Sequence, residues 1–232
     1  MRIWDINPGY LNRQSLLGEH RELHGIVSII SNNKKGYSKH PETLRWVNRG
    51  WALKQRHNLL VAEMNLRGYV DKSPVLMRSN KNSWPDKFID SPAGQFSILS
   101  EKYKTLESGR IPLPENVQQL WAQHKYSVMA RDISSYKRIG KRVASVRNVH
   151  SMNAIALELI TLLQTPPSRK LIHNALLHMW GYVSSYSEIT GKELTSLPAK
   201  KLLKLIQQLV LLHNIPYLTD STALSELNAW NH

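Results

Sequence analysis

Apolar residues recur every three or four positions through most of the chain, which is the spacing of an amphipathic helix. Residues 12–31 form the first such stretch, and Asn12 is a residue type suited to cap its N-terminus. The apolar face of this stretch collects four side chains: Leu16, Leu23, Val27 and Ile30. The pattern predicts a long first helix, preceded by a short β-like segment at Arg2–Ile6.

Two more helices are predicted within the first eighty residues. A basic loop at 32–40 leads to Pro41, and proline suits the first helical position because its φ is already helical and its missing N–H is not needed there. A third helix follows a break near Gly50 and ends at Arg67-Gly68, a C-terminal capping signal. One face of this helix carries Leu53, His57, Leu60 and Met64.

Residues 70–94 are predicted to be a linker, because Pro, Asn, Ser and Gly interrupt any periodicity there. A second helical block starts near Gln95. Its segments are 95–107, 114–131, 133–146, 151–164, 168–187 and 197–213. Strand-like alternation is scarce, so we predict an all-α protein of two helical domains, 1–78 and 93–232, joined by a Pro/Asn/Ser-containing linker.

The charge balance points to a polyanionic partner. The 232 residues include 31 Lys and Arg against 17 Asp and Glu, a formal net charge of +14, and nearly all of the excess precedes residue 151. This asymmetry favours nucleic acid. An anionic membrane, an acidic protein and a merely soluble surface are the alternatives.

Composition also excludes several kinds of chemistry. The chain contains no cysteine, which rules out disulfides, thiolate catalysis, iron–sulfur clusters and cysteine zinc sites. No apolar run approaches the ~18 residues that a membrane span needs, and the N-terminus lacks an apolar signal core. We therefore expect a cytoplasmic, nucleoid-associated protein with no membrane partner and no cofactor.

The polar face of the first predicted helix has an unusual composition. It carries Gly18, Arg21, Glu22, Gly25 and Ser28. Each glycine inside a helix costs ~1 kcal/mol against alanine, and two of them flank the carboxylate. Glycine leaves room for a ligand to approach closely, and arginine offers a fork that fits phosphate. An ordinary polar face with two incidental glycines is the alternative.

Several short motifs carry a family resemblance in their order and spacing. Met1-Arg2-Ile3 opens the chain, and Glu19-His20-Arg21-Glu22-Leu23 lies in the first helix. Further pieces are Gly36-Tyr37, His40-Pro41, Arg56-His57, Glu63-Met64, Arg67-Gly68-Tyr69 and Lys72-Ser73-Pro74. Roughly the first 75 residues resemble the pyrimidine-dimer DNA glycosylase family.

This resemblance implies a bifunctional repair enzyme acting on damaged double-stranded DNA. The α-amine of the first residue attacks C1′, an imine forms, and β-elimination cuts the strand. The resemblance gives the amine to Met1, the acid/base role to Glu22 and phosphate binding to Arg2 and Arg21. An unperturbed α-amine titrates near pH ~8, well below lysine near ~10.4, so part of it is free base at neutral pH. Because Arg2 is bulky, we expect Met1 to be retained.

The chain also departs from the family pattern. Gly25 stands where the family has a second phosphate-binding arginine, and the family's aromatic, Lys-rich C-terminal segment is replaced. These differences concern the preference for pyrimidine dimers and not the imine chemistry.

Residues 93–230 resemble a different family, the YbgA-type domain of unknown function. Pieces that carry this likeness are Leu120-Trp121, Met129-Ala130-Arg131, Pro167-Ser168-Arg169, Leu177-His178-Met179 and Ile215-Pro216-Tyr217-Leu218. The resemblance implies no particular activity.

Further basic residues are candidates for contact with the DNA backbone. They are Lys34, Lys35, Lys39, His40, Arg45 and Arg56 in the first domain, and Lys125, Arg131, Lys137, Arg138, Lys141 and Arg142 in the second. The last four form two i, i+4 pairs of like charge, an arrangement that phosphates would relieve. A solvated basic face is the alternative.

Histidines give no clear metal signal. His173 and His178 are five residues apart, and two helical ligands are usually four apart. His57 fits a satisfied core histidine or a site residue. We therefore predict no metal.

The sequence as a whole predicts a DNA repair glycosylase with AP-lyase activity on pyrimidine dimers. Two alternatives stay open. One is a nucleic-acid-binding protein that has lost the chemistry, and the other is an RNA-directed accessory enzyme.

Overall fold

The computed structural model describes residues 1–145, 151–189 and 191–230. Within these ranges the chain is helical and has no β-strand, which confirms the all-α prediction. The chain divides into two compact units, Met1–Gly109 and Arg110–His232. Among the described residues, no helix combines the length and apolarity that crossing a membrane would take.

The first unit contains one 3₁₀ turn and four helices. The turn is Pro8–Tyr10, and the helices are α1 (Arg13–Ser31), α2 (Pro41–Trp46), α3 (Gly50–Leu66) and α4 (Pro92–Tyr103). As predicted, the Asn12 side chain caps α1 by accepting a hydrogen bond from the Ser15 amide at 2.8 Å. Gly68, with φ of +83°, follows α3, where the sequence placed a stop.

The core of this unit lies between α1 and α3. Leu16, Leu23 and Ile26 of α1 and Leu53 and Leu60 of α3 are fully buried. The predicted apolar face of α1 was therefore slightly rotated, since its members Val27 and Ile30 are only half-buried.

The predicted β-like opening has no regular secondary structure and pairs with no strand in the described part of the chain. Ile3, Trp4 and Ile6 are buried. The apolar residues of this segment join the core, and its backbone bonds to side chains from the helices.

The boundary between the units differs from the prediction, which ended the first domain at 78 and began the second at 93. Helix α4 and the residues up to Gly109 belong to the first unit. The Tyr103 hydroxyl accepts a hydrogen bond from the Asn12 amide at 2.8 Å and donates one to the Tyr10 carbonyl at 2.9 Å. A Cβ at Gly109 would lie 2.4 Å from the Tyr10 backbone, so this segment runs directly against the start of the chain.

The second unit contains eight helices and a 3₁₀ turn among its described residues. The helices are α5 (Val117–Met129), α6 (Ile133–Ser145), α7 (Ser151–Leu163), α8 (Arg169–Trp180), α9 (Gly191–Ser196), α10 (Ala199–Leu212), α11 (Pro216–Thr219) and α12 (Ala223–Ala229). Helix α5 is central and packs against α6, α7, α8 and α12.

Two differences from the predicted elements occur in the second unit. The long helix predicted at 168–187 ends at Trp180, and Ser184–Tyr186 forms the separate 3₁₀ turn. The short helices α9, α11 and α12 were not predicted. Residue 146, the predicted end of one segment, lies outside the described residues.

Candidate active site

The first six residues are held in place through their backbone. The Arg2 amide donates a hydrogen bond to Glu22 Oε2, and the Trp4 amide donates to Glu19 Oε1 at 3.2 Å. Both carboxylates come from α1. From α4, Gln95 Oε1 accepts from the Asp5 amide at 2.8 Å. The amides of Arg2, Trp4 and Asp5 are thus all satisfied by side chains.

Two buried arginines hold the carbonyls of the same segment. Arg45 Nη2 donates to the Ile3 carbonyl, and Arg56 Nη1 donates to the Ile6 carbonyl, each at 2.8 Å. Arg56 also makes two hydrogen bonds with Glu19, at 2.7 and 2.9 Å. Burial raises the pKa of the Glu19 carboxyl, while the Arg56 charge opposes that shift. The result is a buried, hydrogen-bonded scaffold around residues 2–6.

Glu22 lies at the point where this scaffold meets solvent. Its carboxylate is half-buried, and Arg21 beside it is exposed. A Cβ at Gly18 or at Gly25 would meet no other atom within 4 Å. These two glycines are therefore not needed for packing within the described chain, and the face around Glu22 is open to approach.

The α-amine of Met1 is one residue along the chain from the amide that bonds to this carboxylate. Three covalent bonds separate it from the Arg2 amide nitrogen, so the two nitrogens lie within about 4 Å of each other. Because that amide is bonded to Glu22, the amine lies in the same region of the unit as the carboxylate that the sequence singled out. Such a pair can combine nucleophilic attack with proton transfer at the same carbon.

Comparison with known proteins bears on this geometry. Residues 1–77 match the family model described as pyrimidine dimer DNA glycosylase. The N-terminal unit is glycosylase-like. Residues 125–227 match a second model, a protein of unknown function (DUF1722). Both matches confirm the resemblances drawn from the sequence. No curated protein and no solved structure matches the chain.

In the glycosylase-like unit, the predicted phosphate residue Arg2 has an internal partner. Its Nη1 lies 2.7 Å from Asp90 Oδ2, and its guanidinium lies 4.8 Å from the centre of the Trp4 ring. The side chain keeps 38% of its surface exposed. A phosphate would therefore compete with Asp90 for this arginine.

Three of the predicted DNA contacts are buried, which corrects the sequence interpretation. Arg45 is held by Asp5 and Glu42, and Arg56 by Glu19. Arg131 is 1% exposed and donates to Glu226 Oε1 at 2.5 Å and to the Leu163 carbonyl at 2.9 Å. None of the three side chains can reach a DNA backbone, because each lies inside its unit and is committed to internal acceptors.

The basic loop of the first unit is at the surface. Lys34, Lys35 and Lys39 are exposed. His40 instead caps α2, since its Nδ1 accepts a hydrogen bond from the Glu42 amide at 3.1 Å. The three lysines remain available for phosphate contact, and His40 has a local structural role.

The basic helix α6 of the second unit is partly neutralised. Arg138 and Arg142 both bind Glu158 of α7. This internal carboxylate reduces the repulsion between the two arginines, for which the sequence suggested phosphates or a solvated face. Lys137 and Lys141 are exposed. Lys125 is half-buried, with its Nζ 4.9 and 4.8 Å from the centres of the Tyr126 and Tyr217 rings.

Sequence reasoning missed two features of the first unit. The first is Glu19, which falls on the apolar stripe between Leu16 and Leu23 and is fully buried; a carboxylate on that stripe was the available signal. The second is His57. Its buried ring nitrogens make no hydrogen bond with any described residue, so it is not a satisfied core histidine. Burial lowers the pKa of His57 to about 4.

Proposed function

We propose that the N-terminal unit is a DNA glycosylase with AP-lyase activity on pyrimidine dimers in duplex DNA. Its match to the pyrimidine dimer DNA glycosylase model supports a glycosylase-like enzyme. The observation that carries the finer proposal is the hydrogen bond from the Arg2 amide to Glu22, which sets the start of the chain against a carboxylate on an open helix face.

The first chemical step joins the protein to the sugar. The Met1 amine nitrogen forms a bond to C1′, the glycosidic C–N bond breaks, and its electron pair leaves with the base. Glu22 donates a proton to the sugar ring oxygen as the ring opens. The amine passes one proton to the departing base and keeps the other, so that a protonated imine links Met1 to C1′.

The second step cuts the strand. Glu22, now ionised, removes a proton from C2′. The electron pair forms the C2′–C3′ double bond, and the C3′–O bond to phosphate breaks. Hydrolysis of the imine then releases Met1 and returns the enzyme to its starting state. Glu22 serves both steps because it alternates between acid and base.

Arginines at the rim would hold the phosphates that flank the lesion. Arg21 is exposed and adjacent to Glu22, and its fork matches two phosphate oxygens. The open space at Gly18 and Gly25 admits the sugar–phosphate backbone to the helix face. DNA binding of this kind is dominated by phosphate contacts and weakens with salt.

Borohydride trapping tests the proposal directly. Untagged protein is incubated with a dimer-containing duplex and with an abasic duplex in the presence of borohydride, and the adduct is mapped by mass spectrometry. We expect a reduced adduct on the Met1 amine with both substrates. An adduct on a lysine, or none, contradicts the assignment, and salt-sensitive binding without an adduct would indicate a protein that has lost the chemistry.

Two variants separate the roles of the amine and the carboxylate. Glu22→Gln should lose strand cleavage by at least about 10²-fold, while Glu101→Gln, an exposed glutamate of the same unit, serves as the matched control. A short extension placed before Met1 should abolish both cleavage and trapping yet leave binding intact. Full cleavage by either altered enzyme would overturn the mechanism.

A further inference from the structure

A cluster of three histidines and one aspartate lies on the side of α1 away from Glu22. His20 and His24 are one helical turn apart on α1, His57 comes from α3, and Asp71 follows α3. One ligand atom from each residue can be chosen such that all four lie within 4.8 Å of one another. At about 100° per residue, Glu22 is turned about 160° from both α1 histidines. The cluster is therefore separate from the candidate active site.

The polar atoms of this cluster are poorly satisfied by the protein. His24 Nε2 and both ring nitrogens of His57 are buried and make no hydrogen bond with any described residue. Asp71 reaches His20 Nε2 at 3.2 Å, and its other oxygen lies 3.7 Å from His57 Nε2. Buried polar atoms are nearly always paired, and leaving one without a partner costs about 1–3 kcal/mol. Several such atoms pointing to one place indicate a shared partner.

Geometry and ligand type identify the class of that partner. The three imidazole rings lie edge to face or tilted, with centroids 4.7, 5.3 and 5.0 Å apart. A tetrahedral zinc ion with bonds near ~2.05 Å places its ligand atoms about 3.3 Å apart. Rotations that move each ligand atom inward by about 1 Å are enough to reach that distance. Imidazole nitrogen and carboxylate oxygen are both ordinary zinc ligands.

We propose that His20, His24, His57 and Asp71 bind one Zn²⁺ ion. Four protein ligands close a tetrahedral shell and leave no position for a substrate, so the ion is structural. It fastens α1 to α3 and to the segment after α3. This site was not predicted from the sequence, where only the unsuitable His173 and His178 pair was weighed and no metal was expected.

The zinc content of the protein tests the proposal independently of any repair activity. Full-length protein is prepared without a histidine tag, because a tag itself binds zinc, and is stripped with a chelator. It is then dialysed against Zn²⁺, and bound zinc is counted by plasma mass spectrometry. We expect one ion per chain. Cobalt in its place should give the intense visible absorption of a tetrahedral site, and zinc should raise the midpoint of thermal unfolding.

Substitutions locate the site. His24→Gln and Asp71→Asn should each weaken zinc binding by at least 10-fold and remove the tetrahedral cobalt spectrum. His213→Gln is the matched control, because His213 lies in the second unit and stacks on Tyr186. Circular dichroism of the metal-free proteins reports whether each variant folds. If His24→Gln does not fold, the zinc binding of Asp71→Asn decides whether the site exists.

Two results would overturn the proposal. One is a wild-type protein that binds no zinc after stripping and dialysis. The other is a folded Asp71→Asn or His24→Gln protein that binds zinc as the wild type does. Neither result bears on the glycosylase mechanism, since borohydride trapping at Met1 is measured separately.

Discussion

Arg56 shows how a single side chain connects the core to the start of the chain. It neutralises the buried carboxylate of Glu19 and also holds the Ile6 carbonyl. If Arg56 were removed, Glu19 would stay buried without a counter-charge. Breaking a buried ion pair from one side is strongly destabilising.

We therefore expect Arg56→Met to lower the free energy of unfolding by about 3–5 kcal/mol. Urea denaturation followed by circular dichroism measures this change. Lys104→Met is the control, because its ion pair with Glu101 is exposed and such pairs contribute about 0–1 kcal/mol. Equal losses in the two variants would show that the buried pair has no special role.

His124 gives a second prediction at the scale of one residue, now in the second unit. Its buried Nδ1 donates to the Leu120 carbonyl at 2.8 Å, and burial lowers its pKa from 6.5 to about 4. The folded state thus binds this proton less readily than the unfolded state. The contribution of neutral His124 to the free energy of unfolding is therefore fully present above pH 6.5 and is lost as the pH falls toward 4.

The loss in the free energy of unfolding amounts to about 3 kcal/mol, because each unit by which the pKa is lowered corresponds to about 1.4 kcal/mol. Unfolding free energies of the wild type and of His124→Gln, measured between pH 7 and pH 4, isolate the effect. The variant should lose less stability than the wild type over that range. Parallel pH dependences would contradict the assignment.

At the scale of the element, α1 serves three purposes on three faces. One side packs in the core, one carries the histidine cluster, and one presents Glu22 between Gly18 and Gly25. The glycines weaken the helix by about 1 kcal/mol each, yet no neighbour within the described chain needs their small size. Their benefit is expected only when DNA is bound.

Gly25→Ala should accordingly stabilise the fold by about 0.5–1 kcal/mol while reducing strand cleavage. Thermal unfolding and a cleavage assay on the same preparation measure both effects, and the gain in stability shows that the loss of activity is not a folding defect. A variant that is both more stable and fully active would show that the backbone of DNA does not approach this face.

The elements also show how far sequence could predict the site. Periodicity and capping residues located α1, α2 and α3, because those signals are local. The sequence predicted a β-like segment at Arg2–Ile6 but not that its backbone would bond to side chains of the helices. The Glu19–Arg56 pair joins residues 37 positions apart, and no pattern within one element reports such a partner. The histidine cluster escaped for the same reason, since its ligands come from α1, α3 and the segment that follows.

At the scale of the whole molecule, the boundary between the two units lies later in the chain than the sequence predicted. The sequence placed residues 93–109 in the second domain because a helical pattern resumes there. Contacts place them in the first unit, where Gln95 and Tyr103 bond to the N-terminal residues. Composition marks where regular structure starts, but only tertiary contacts show which core it joins.

The second unit provides a test of whether its charge serves DNA binding. Helix α6 carries Lys137 and Lys141, which are exposed, next to Arg138 and Arg142, which bind Glu158. If α6 contacts phosphates, replacing both lysines with alanine should weaken duplex binding at low salt. The slope of log K against log salt should also become shallower by about 1.8, because each phosphate contact contributes about 0.9.

The arginine pair is the matched control for that experiment, since it removes the same charge from the same helix. Arg138→Ala with Arg142→Ala should change the slope less, because Glu158 already neutralises part of that charge. Fluorescence anisotropy of a labelled duplex at several salt concentrations measures both variants. Unchanged slopes in both would show that α6 does not contact the phosphates of the duplex.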